Sequence, residues 1–194
     1  MTGTVEERQE RTRFAWIAGV GASAGLGAAL ARRFAQGGLS VVVTGRSRER
    51  LDAIVDEIRS AGGHAVAAPG DVTREADLTA IAGQITTQGT LEVAIFNAAG
   101  ATRAPTLELS AEQFEAAWRV TTLGGFLFAR AALQPLLAAG RGSLLFTGAT
   151  ASLRGRPPFA AFASAKAGLR SLTQSLAREF GPRNIHVAHV VVDG

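Results

Sequence analysis

The stretch IAGVGASAGLG, residues 17–27, places several glycines at close intervals directly after an apolar run. The run predicts a buried strand, and the pattern that follows the glycines predicts a helix. Gly21 permits a tight exit from the strand, Gly25 lets a phosphate approach the backbone, and Gly27 lets the helix pack closely on the sheet. Because free N–H groups at a helix start attract phosphate, the stretch predicts a dinucleotide-binding turn, although a purely structural turn uses the same glycines.

Five further β-rich runs alternate with helical patterns along the chain, and several are continuously apolar, as strands covered on both faces must be. This alternation implies right-handed crossovers and a parallel sheet. The sequence therefore predicts an α/β fold: one Rossmann-type, doubly wound domain of about six strands over 14–194, after an N-terminal extension at 1–13. Ser110, three residues before Gln113, is a capping-box signal. The predicted strands are 14–20, 39–45, 64–70, 91–97, 142–148 and 185–192, and the predicted helices are 25–37, 48–61, 74–88, 110–138 and 158–180.

The composition narrows the class of protein. Hydrophobic residues make up 47% and charged residues 19%, which is typical of a globular chain. The chain has no cysteine, which excludes disulfides and thiolate catalysis, and we expect no metal site. No run reaches the roughly 18 to 20 uninterrupted apolar residues of a membrane span, so we expect a cytoplasmic protein. The net charge of +4 comes from scattered arginines, which does not favour nucleic-acid binding.

The second predicted strand ends in VTGRSRERL, which carries Arg46 where an acidic residue would bind the 2′-hydroxyl of NAD. An arginine there accommodates the additional phosphate of NADP, and Ser47 can support it. Arg48 and Arg50 add positive charge nearby. The sequence therefore favours NADP(H) over NAD(H), with the alternative that these arginines cap the next helix or face solvent.

Motifs after the later strands complete a pattern that resembles the short-chain dehydrogenase/reductase family over nearly the whole chain. The family's TGxxxGxG turn is similar to VGASAGLG (20–27), and its aspartate after strand three is similar to Asp71 in GDVT. Its NNAG motif is similar to NAAG (97–100), and its YxxxK helix to FASAKAGL (162–169). Together these spacings are highly specific, although each alone is not.

The resemblance implies a nicotinamide cofactor and hydride transfer with a small carbonyl or alcohol substrate. It also implies a homo-oligomer, a dimer or tetramer, formed through the helices predicted at 110–138 and 158–180. The residues that it places at the cofactor are Gly21, Ser23, Gly25, Leu26, Gly27, Arg46, Ser47, Asp71, Val72, Asn97, Ala98, Gly100 and Lys166.

Three of the four groups that the family's chemistry uses are replaced in this chain. By the resemblance, the proton-donating tyrosine becomes Phe162, the substrate-orienting serine becomes Ala149, and the asparagine on helix four falls at Thr121. The lysine that lowers the tyrosine pKa and holds the nicotinamide ribose is kept as Lys166, the only lysine. The spacing used by enoyl reductases meets Phe159 instead of tyrosine. We expect weak or non-standard catalysis, because general acid catalysis is worth roughly 10²- to 10⁴-fold.

Other groups could supply the missing proton. Lys166 could act as the acid, or could bind a substrate carboxylate or phosphate, with an ordinary surface lysine as the alternative. His64 precedes strand three, while His186 and His189 lie in the last strand, away from the expected site, so all three are predicted to be structural. None of the nearby hydroxyls has a pKa near neutrality. These hydroxyls belong to Thr147, Thr150, Ser152 and Ser164.

The sequence leaves more than one function open. The chain ends at HVVVDG, where members of the family usually continue, so we expect a fragment or a truncated product. The leading hypothesis is an atypical NADP(H)-dependent oxidoreductase. The alternative is a catalytically inactive NADP(H)-binding sensor or oligomer subunit. A third hypothesis, an RNA-binding Rossmann protein, predicts strongly salt-dependent binding.

Overall fold

The chain forms one parallel sheet with helices on both faces. A computed structural model describes residues 11–192. The strands are β1 (Thr12–Ala18), β2 (Ser40–Thr44), β3 (Ala65–Ala67), β4 (Gly89–Phe96), β5 (Gly142–Ala149) and β6 (Ile185–Val192). Their order across the sheet is β3-β2-β1-β4-β5-β6, and every neighbouring pair is parallel. The predicted doubly wound α/β fold with six strands is confirmed.

The helices divide between the two faces. They are α1 (Leu26–Gln36), α2 (Arg48–Ser60), α3 (Glu75–Gln88), α4 (Ala111–Trp118), α5 (Gly124–Ala138) and α6 (Ala160–Phe180). Helices α1 and α2 pack on one face, and α3, α5 and α6 pack on the other. Since both faces of the central strands are covered, their side chains have to be apolar throughout, which explains the continuous apolar runs.

Aromatic rings fill the core on the second face. Trp16, Phe96, Phe128 and Phe146 are all completely buried. Phe128 lies with its ring centroid 4.6 Å from that of Trp16 and 5.6 Å from that of Phe96. The indole Nε1 of Trp16 donates to Thr44 Oγ1 at 2.9 Å, so its polar atom is satisfied. Burial of each such ring stabilises the fold by about 1.5–3 kcal/mol.

Helix boundaries follow local capping chemistry. The predicted capping box is confirmed, because Ser110 Oγ accepts from the Gln113 N–H and the Gln113 side chain accepts from the Ser110 N–H. The sequence predicted one uninterrupted helix at 110–138, but a π-helical turn, Arg119–Leu123, separates α4 from α5. Such turns are rare and occur frequently at functional sites.

The bounds of β1 and β3 differ from the prediction. β1 stops at Ala18 because Gly19 has φ of +90°, outside the extended region. β1 also begins at Thr12, inside the predicted extension 1–13, of which residues 1–10 lie outside the described part of the chain. β3 is three residues long, and Pro69, which has no N–H, follows closely.

The continuous helical stretch Ala111–Ala138 is long and apolar enough, by length and composition, to cross a membrane. The sequence predicted no such segment, because that prediction considered only uninterrupted apolar runs. Its most apolar window is 56% buried inside the structure, and α5 packs on β4 and β5 in the core. The stretch therefore occupies the position of a core helix.

Candidate cofactor and catalytic site

A cleft of about 530 Å³ opens where the strand order reverses, at the carboxyl ends of β1 and β4. Ligands of open α/β sheets bind at such a reversal point. The glycine turn, the end of β2, the segment after β3 and the NAAG segment all line it. Among its lining residues are Gly19, Val20, Gly21, Arg46, Asp71, Val72, Asn97, Ala98 and Arg119.

Gly19, which the sequence reading did not single out, sets the shape of the turn. A Cβ at this position would collide with the backbone N of Ala98 and lie 2.6 Å from the carbonyl carbon of Asn97. The end of β1 can therefore approach the end of β4 only with glycine there. A Cβ at Gly27 would lie 2.9 Å from Gly19 O, so α1 also packs directly on this turn. The positive φ and the contact partner of Gly19 depend on the fold and are not visible in a GxG pattern.

The first turn of α1 is open to an anion. Its N-cap residue is Gly25, which has no side-chain cap, and the first turn contains no acidic residue. Leu26 follows and is 41% exposed. A Cβ at Gly21 would meet nothing within 4 Å, so space remains beside the backbone. Uncapped N–H groups at a helix start, together with the helix dipole, bind phosphate oxygens.

Ser23 is held by charged neighbours. Its hydroxyl donates to Glu57 at 2.8 Å, and Arg32 donates to the Ser23 backbone carbonyl at 2.6 Å and to Glu57 at 2.7 Å. These bonds tie the turn to α1 and α2. The predicted contribution of the Ser23 hydroxyl to phosphate binding therefore competes with its bond to Glu57.

Arg46 and Asp71 face the cleft from two neighbouring loops. Asp71 Oδ1 accepts from the Thr73 N–H and from Thr73 Oγ1, both at 2.8 Å. The Thr73 N–H bond and the positive charge of Arg46 lower the pKa of Asp71, so its carboxylate stays ionised. Ser47 accepts from the Arg50 N–H as the N-cap of α2. Arg46 itself is exposed, with no carboxylate of the described residues in an ion pair with it.

Asn97 joins three strand ends. Its Nδ2 donates to Gly19 O at 3.0 Å, and its Oδ1 accepts from Thr147 Oγ1 at 3.0 Å. Both ends of the amide are therefore used inside the protein. Further along the NAAG segment, the Gly100 N–H donates to Thr121 Oγ1 at 3.0 Å. Thr121 is completely buried, so at this position no side chain reaches the cleft.

The other two replaced positions meet in a second cavity, of about 400 Å³. Ala149 at the end of β5 and Phe162 in the first turns of α6 both line it. The Phe162 ring centroid lies 5.9 Å from Lys166 Nζ. The structure thus brings Ala149, Phe162 and Lys166 together as the motif spacing requires, but neither Ala149 nor Phe162 carries a hydroxyl.

Lys166 is a core residue, so the surface-lysine alternative is wrong. It is only 4% exposed, and its Nζ donates to Thr147 O at 2.7 Å. Burial lowers its pKa from 10.5 to about 8. A charged Nζ carries three protons, of which Thr147 O accepts one. Two remain to contact a ligand, since no other hydrogen bond from Nζ to a described residue is present.

His189 was predicted to lie away from the site, and this is wrong. Its ring packs directly over Gly148, the residue before Ala149, and its Nε2 is buried without a hydrogen-bond partner among the described residues. Burial lowers its pKa, and the charges of Lys166 and Arg170 lower it further, so the ring is mostly neutral at pH 7. No sequence pattern indicates this position, because the register of β6 against β5, which pairs His189 with Phe146, is set only by folding.

The remaining polar candidates have other roles. Thr147 Oγ1 donates to Asn97, and Ser164 Oγ donates to Ala161 O at 3.0 Å. Ser152 is 5% exposed, and its Oγ has no partner among the described residues. His64 and His186 are exposed, and His186 lies at the opposite end of β6 from this site.

Comparison with known proteins identifies the family of this chain. A sequence model described as short chain dehydrogenase matches residues 15–193. The chain belongs to the short-chain dehydrogenase family. It is 35% identical over 171 residues to short-chain dehydrogenase/reductase eriH of Hericium erinaceus, covering 85% of this chain and 68% of that protein. The chain spans 64–66% of the length of four other curated relatives that it matches.

Solved structures agree with this family membership. A short-chain dehydrogenase from Rhodopseudomonas palustris is 41% identical, with a TM-score of 0.86, over 93% of this chain and 84% of that one. A structure described as an NAD(P)-dependent gluconate 5-dehydrogenase from Beutenbergia cavernae, with NADP bound at low occupancy, is 27% identical, with a TM-score of 0.86, over 93% of this chain and 72% of that one.

Proposed function

We propose that this chain is an atypical NADP(H)-dependent oxidoreductase that transfers hydride between the cofactor and a small carbonyl or alcohol. The observation that carries the proposal is the cleft at the strand reversal. It combines an uncapped helix start, a glycine turn in which a Cβ at Gly19 would collide with backbone, and an exposed arginine at the end of β2. The Beutenbergia cavernae relative, which was solved with NADP, supports the same cofactor class.

The residues of the cleft fit a dinucleotide phosphate. The N–H groups at the start of α1 would bind the pyrophosphate, and Arg46 would bind the 2′-phosphate with its planar guanidinium. The Asp71 carboxylate is held by Thr73, and it lines the same cleft as Arg46. When bound, the nicotinamide ring would supply or accept the hydride. The chain's own residues would then orient the substrate and transfer the proton.

We assign the role of proton donor to Lys166. Below pH 8 its Nζ is charged and has two N–H groups beyond the one bound to Thr147 O. A proton donor with a pKa of about 8 is better matched to a neutral medium than an ordinary lysine. Phe162 fills the space beside Nζ and excludes water there, but it cannot donate a proton. The reaction is therefore expected to be slow compared with that of an enzyme holding a tyrosine at 162.

The absence of hydroxyls at Phe162 and Ala149 favours a second candidate function. A chain that binds NADP(H) without turnover could act as a sensor or as a subunit of an oligomer. Three large side chains of α4 and α5, Phe114, Trp118 and Phe126, are each 40–42% exposed. We propose that this helical surface pairs subunits, whether or not the chain is an active enzyme, and that the chain acts in the cytoplasm.

Calorimetric titration with NADPH and with NADH tests the cofactor proposal directly. Selective binding of NADPH supports it, and binding of neither cofactor would refute both candidate functions. A second experiment distinguishes the enzyme from the sensor or subunit. The NADPH complex is mixed anaerobically with a panel of ketones, and the nicotinamide absorbance is followed. Slow oxidation of NADPH supports the enzyme, whereas binding without any turnover supports the sensor or subunit.

A further inference from the structure

The second cavity, which lies beside Ala149 and Phe162, has an apolar wall and a cationic rim. Phe159 and Phe162 form the wall, together with Ala149 and Val192. Arg154 and Arg156 also line it, and both are exposed. A pocket with mostly apolar lining and a few placed charges is the usual form of a small-molecule site.

A third arginine is held at the same rim. The guanidinium carbon of Arg103 lies 5.5 Å from the centroid of the Phe159 ring, in cation–π contact. The Ala104 N–H donates to Pro158 O at 3.1 Å, which ties the loop after β4 to the loop before α6. Arg103 therefore lies against Phe159, one of the residues that line this cavity.

None of these three arginines is neutralised within the described residues. The ion pairs of the structure involve other arginines, and Arg103, Arg154 and Arg156 take part in none of them. Around Arg154 and Arg156, the sequence has no aspartate or glutamate between Glu115 and Glu179. Arginines beside a small cavity without carboxylate partners can form bidentate, charge-assisted bonds to an anion that enters it.

We propose that the substrate of this chain is an acidic carbonyl or hydroxy compound, with an apolar body against Phe159 and Phe162 and a carboxylate or phosphate on Arg154 and Arg156. This inference rests on the proposed oxidoreductase function, because it takes the cavity beside Lys166 as the substrate site. The carbonyl end would lie toward Phe162 and Lys166, and the acidic end at the rim. Arg103 adds positive charge and closes one side.

The probes are 3-benzoylpropionate and its methyl ester, two aryl ketones of the same shape that differ by one negative charge. Each is titrated calorimetrically into the full chain with NADP⁺ present and absent. We expect the acid to bind at least about tenfold more tightly than the ester, which is about 1.4 kcal/mol. The variant Arg154→Gln/Arg156→Gln should reduce this preference to less than about threefold while NADPH affinity stays unchanged.

A control variant removes the same charge elsewhere. Arg141→Gln/Arg183→Gln changes two exposed arginines at the opposite end of the sheet. It should keep the preference for the acid. Equal binding of acid and ester, equal losses in both double variants, displacement of the acid by NADPH, or no binding of either probe up to about 10 mM would each overturn the inference. Failure of the proposed function is separate, because there NADPH does not bind although the acid does.

Discussion

The candidate sites in the two halves of the sheet are built in different ways. On the β1–β3 side, the cofactor cleft is built mainly from backbone: the open start of α1 and the contact of Gly19 with Ala98. Because a Cβ at Gly19 would collide with the Ala98 backbone, this part of the cleft cannot change without a loss of stability. On the β4–β6 side, the family's chemistry depends on side-chain hydroxyls. We propose from the motif spacing that Phe162 and Ala149 replace them within an intact scaffold. Binding is therefore tied to the fold, whereas acid–base chemistry can be lost separately.

If the β4–β6 half lacks only the hydroxyl groups that the family's acid–base chemistry uses, restoring them should have the largest effect on the reaction rate. The variant Phe162→Tyr/Ala149→Ser returns a proton donor beside Lys166 and a hydroxyl at the end of β5. We expect the rate of NADPH oxidation with aryl ketones to rise by about 10²- to 10⁴-fold. Steady-state absorbance assays measure this.

The matched control is Phe114→Tyr/Ala151→Ser, which makes the same chemical changes at an exposed residue of α4 and at another position lining the same cavity. It should leave the rate within about threefold of the original, because its hydroxyls lie outside the motif spacing. A similar rise in both variants, or in neither, would contradict the division between an intact scaffold and lost chemistry.

The backbone role of the first half predicts the next largest effect. Gly19→Ala forces a methyl group into the Ala98 backbone and should lower the free energy of unfolding by more than about 3 kcal/mol. Gly38 has a similar φ, +84°, but a Cβ there would meet nothing within 4 Å. Gly38→Ala should cost only about 1–2 kcal/mol. Urea unfolding of both variants measures the difference, and equal costs would show that the close approach is not limiting.

Sequence reasoning predicted the fold and motif positions more reliably than the details of the site. Alternating buried runs determine the strands, and the FASAK spacing places Phe162 and Lys166 on one face of α6, since residues four apart in a helix are neighbours. What it missed depends on contacts between distant segments. The burial of Lys166 needs the α6–β5 packing, and the position of His189 over Gly148 needs the β5–β6 register.

The buried charge of Lys166 predicts that the free energy of unfolding depends on pH. Few other side chains titrate in the same pH range, because the chain has one lysine and no tyrosine or cysteine. The folded chain releases the Lys166 proton at about pH 8, while the unfolded chain keeps it to about 10.5. Between these values the unfolded state binds more protons, so the free energy of unfolding rises with pH. The full cost of burying the charge, up to about 3 kcal/mol, is present below pH 8.

Lys166→Met should therefore stabilise the chain most at pH 7, with a gain that shrinks as the pH rises above 8. The control Lys166→Arg keeps a charge at all these pH values, and its free energy of unfolding should not rise between pH 8 and 9.5. Urea unfolding at several pH values measures both. A pH-independent difference between Lys166→Met and the original chain would contradict a lowered pKa.

The smallest effect concerns Arg46, the side chain to which we attribute cofactor choice in the otherwise backbone-built half. Arg46→Ser removes the charge that faces the cleft beside Asp71, and we expect NADPH affinity to fall about tenfold with NADH affinity unchanged. Arg48→Ser removes an equal charge two residues later, from an exposed arginine paired with Asp52, and should change neither affinity by more than about twofold. Equal losses in both variants would mean that the general positive field attracts the cofactor. A loss confined to Arg46→Ser would mean that even the backbone-built half selects its ligand through a replaceable side chain.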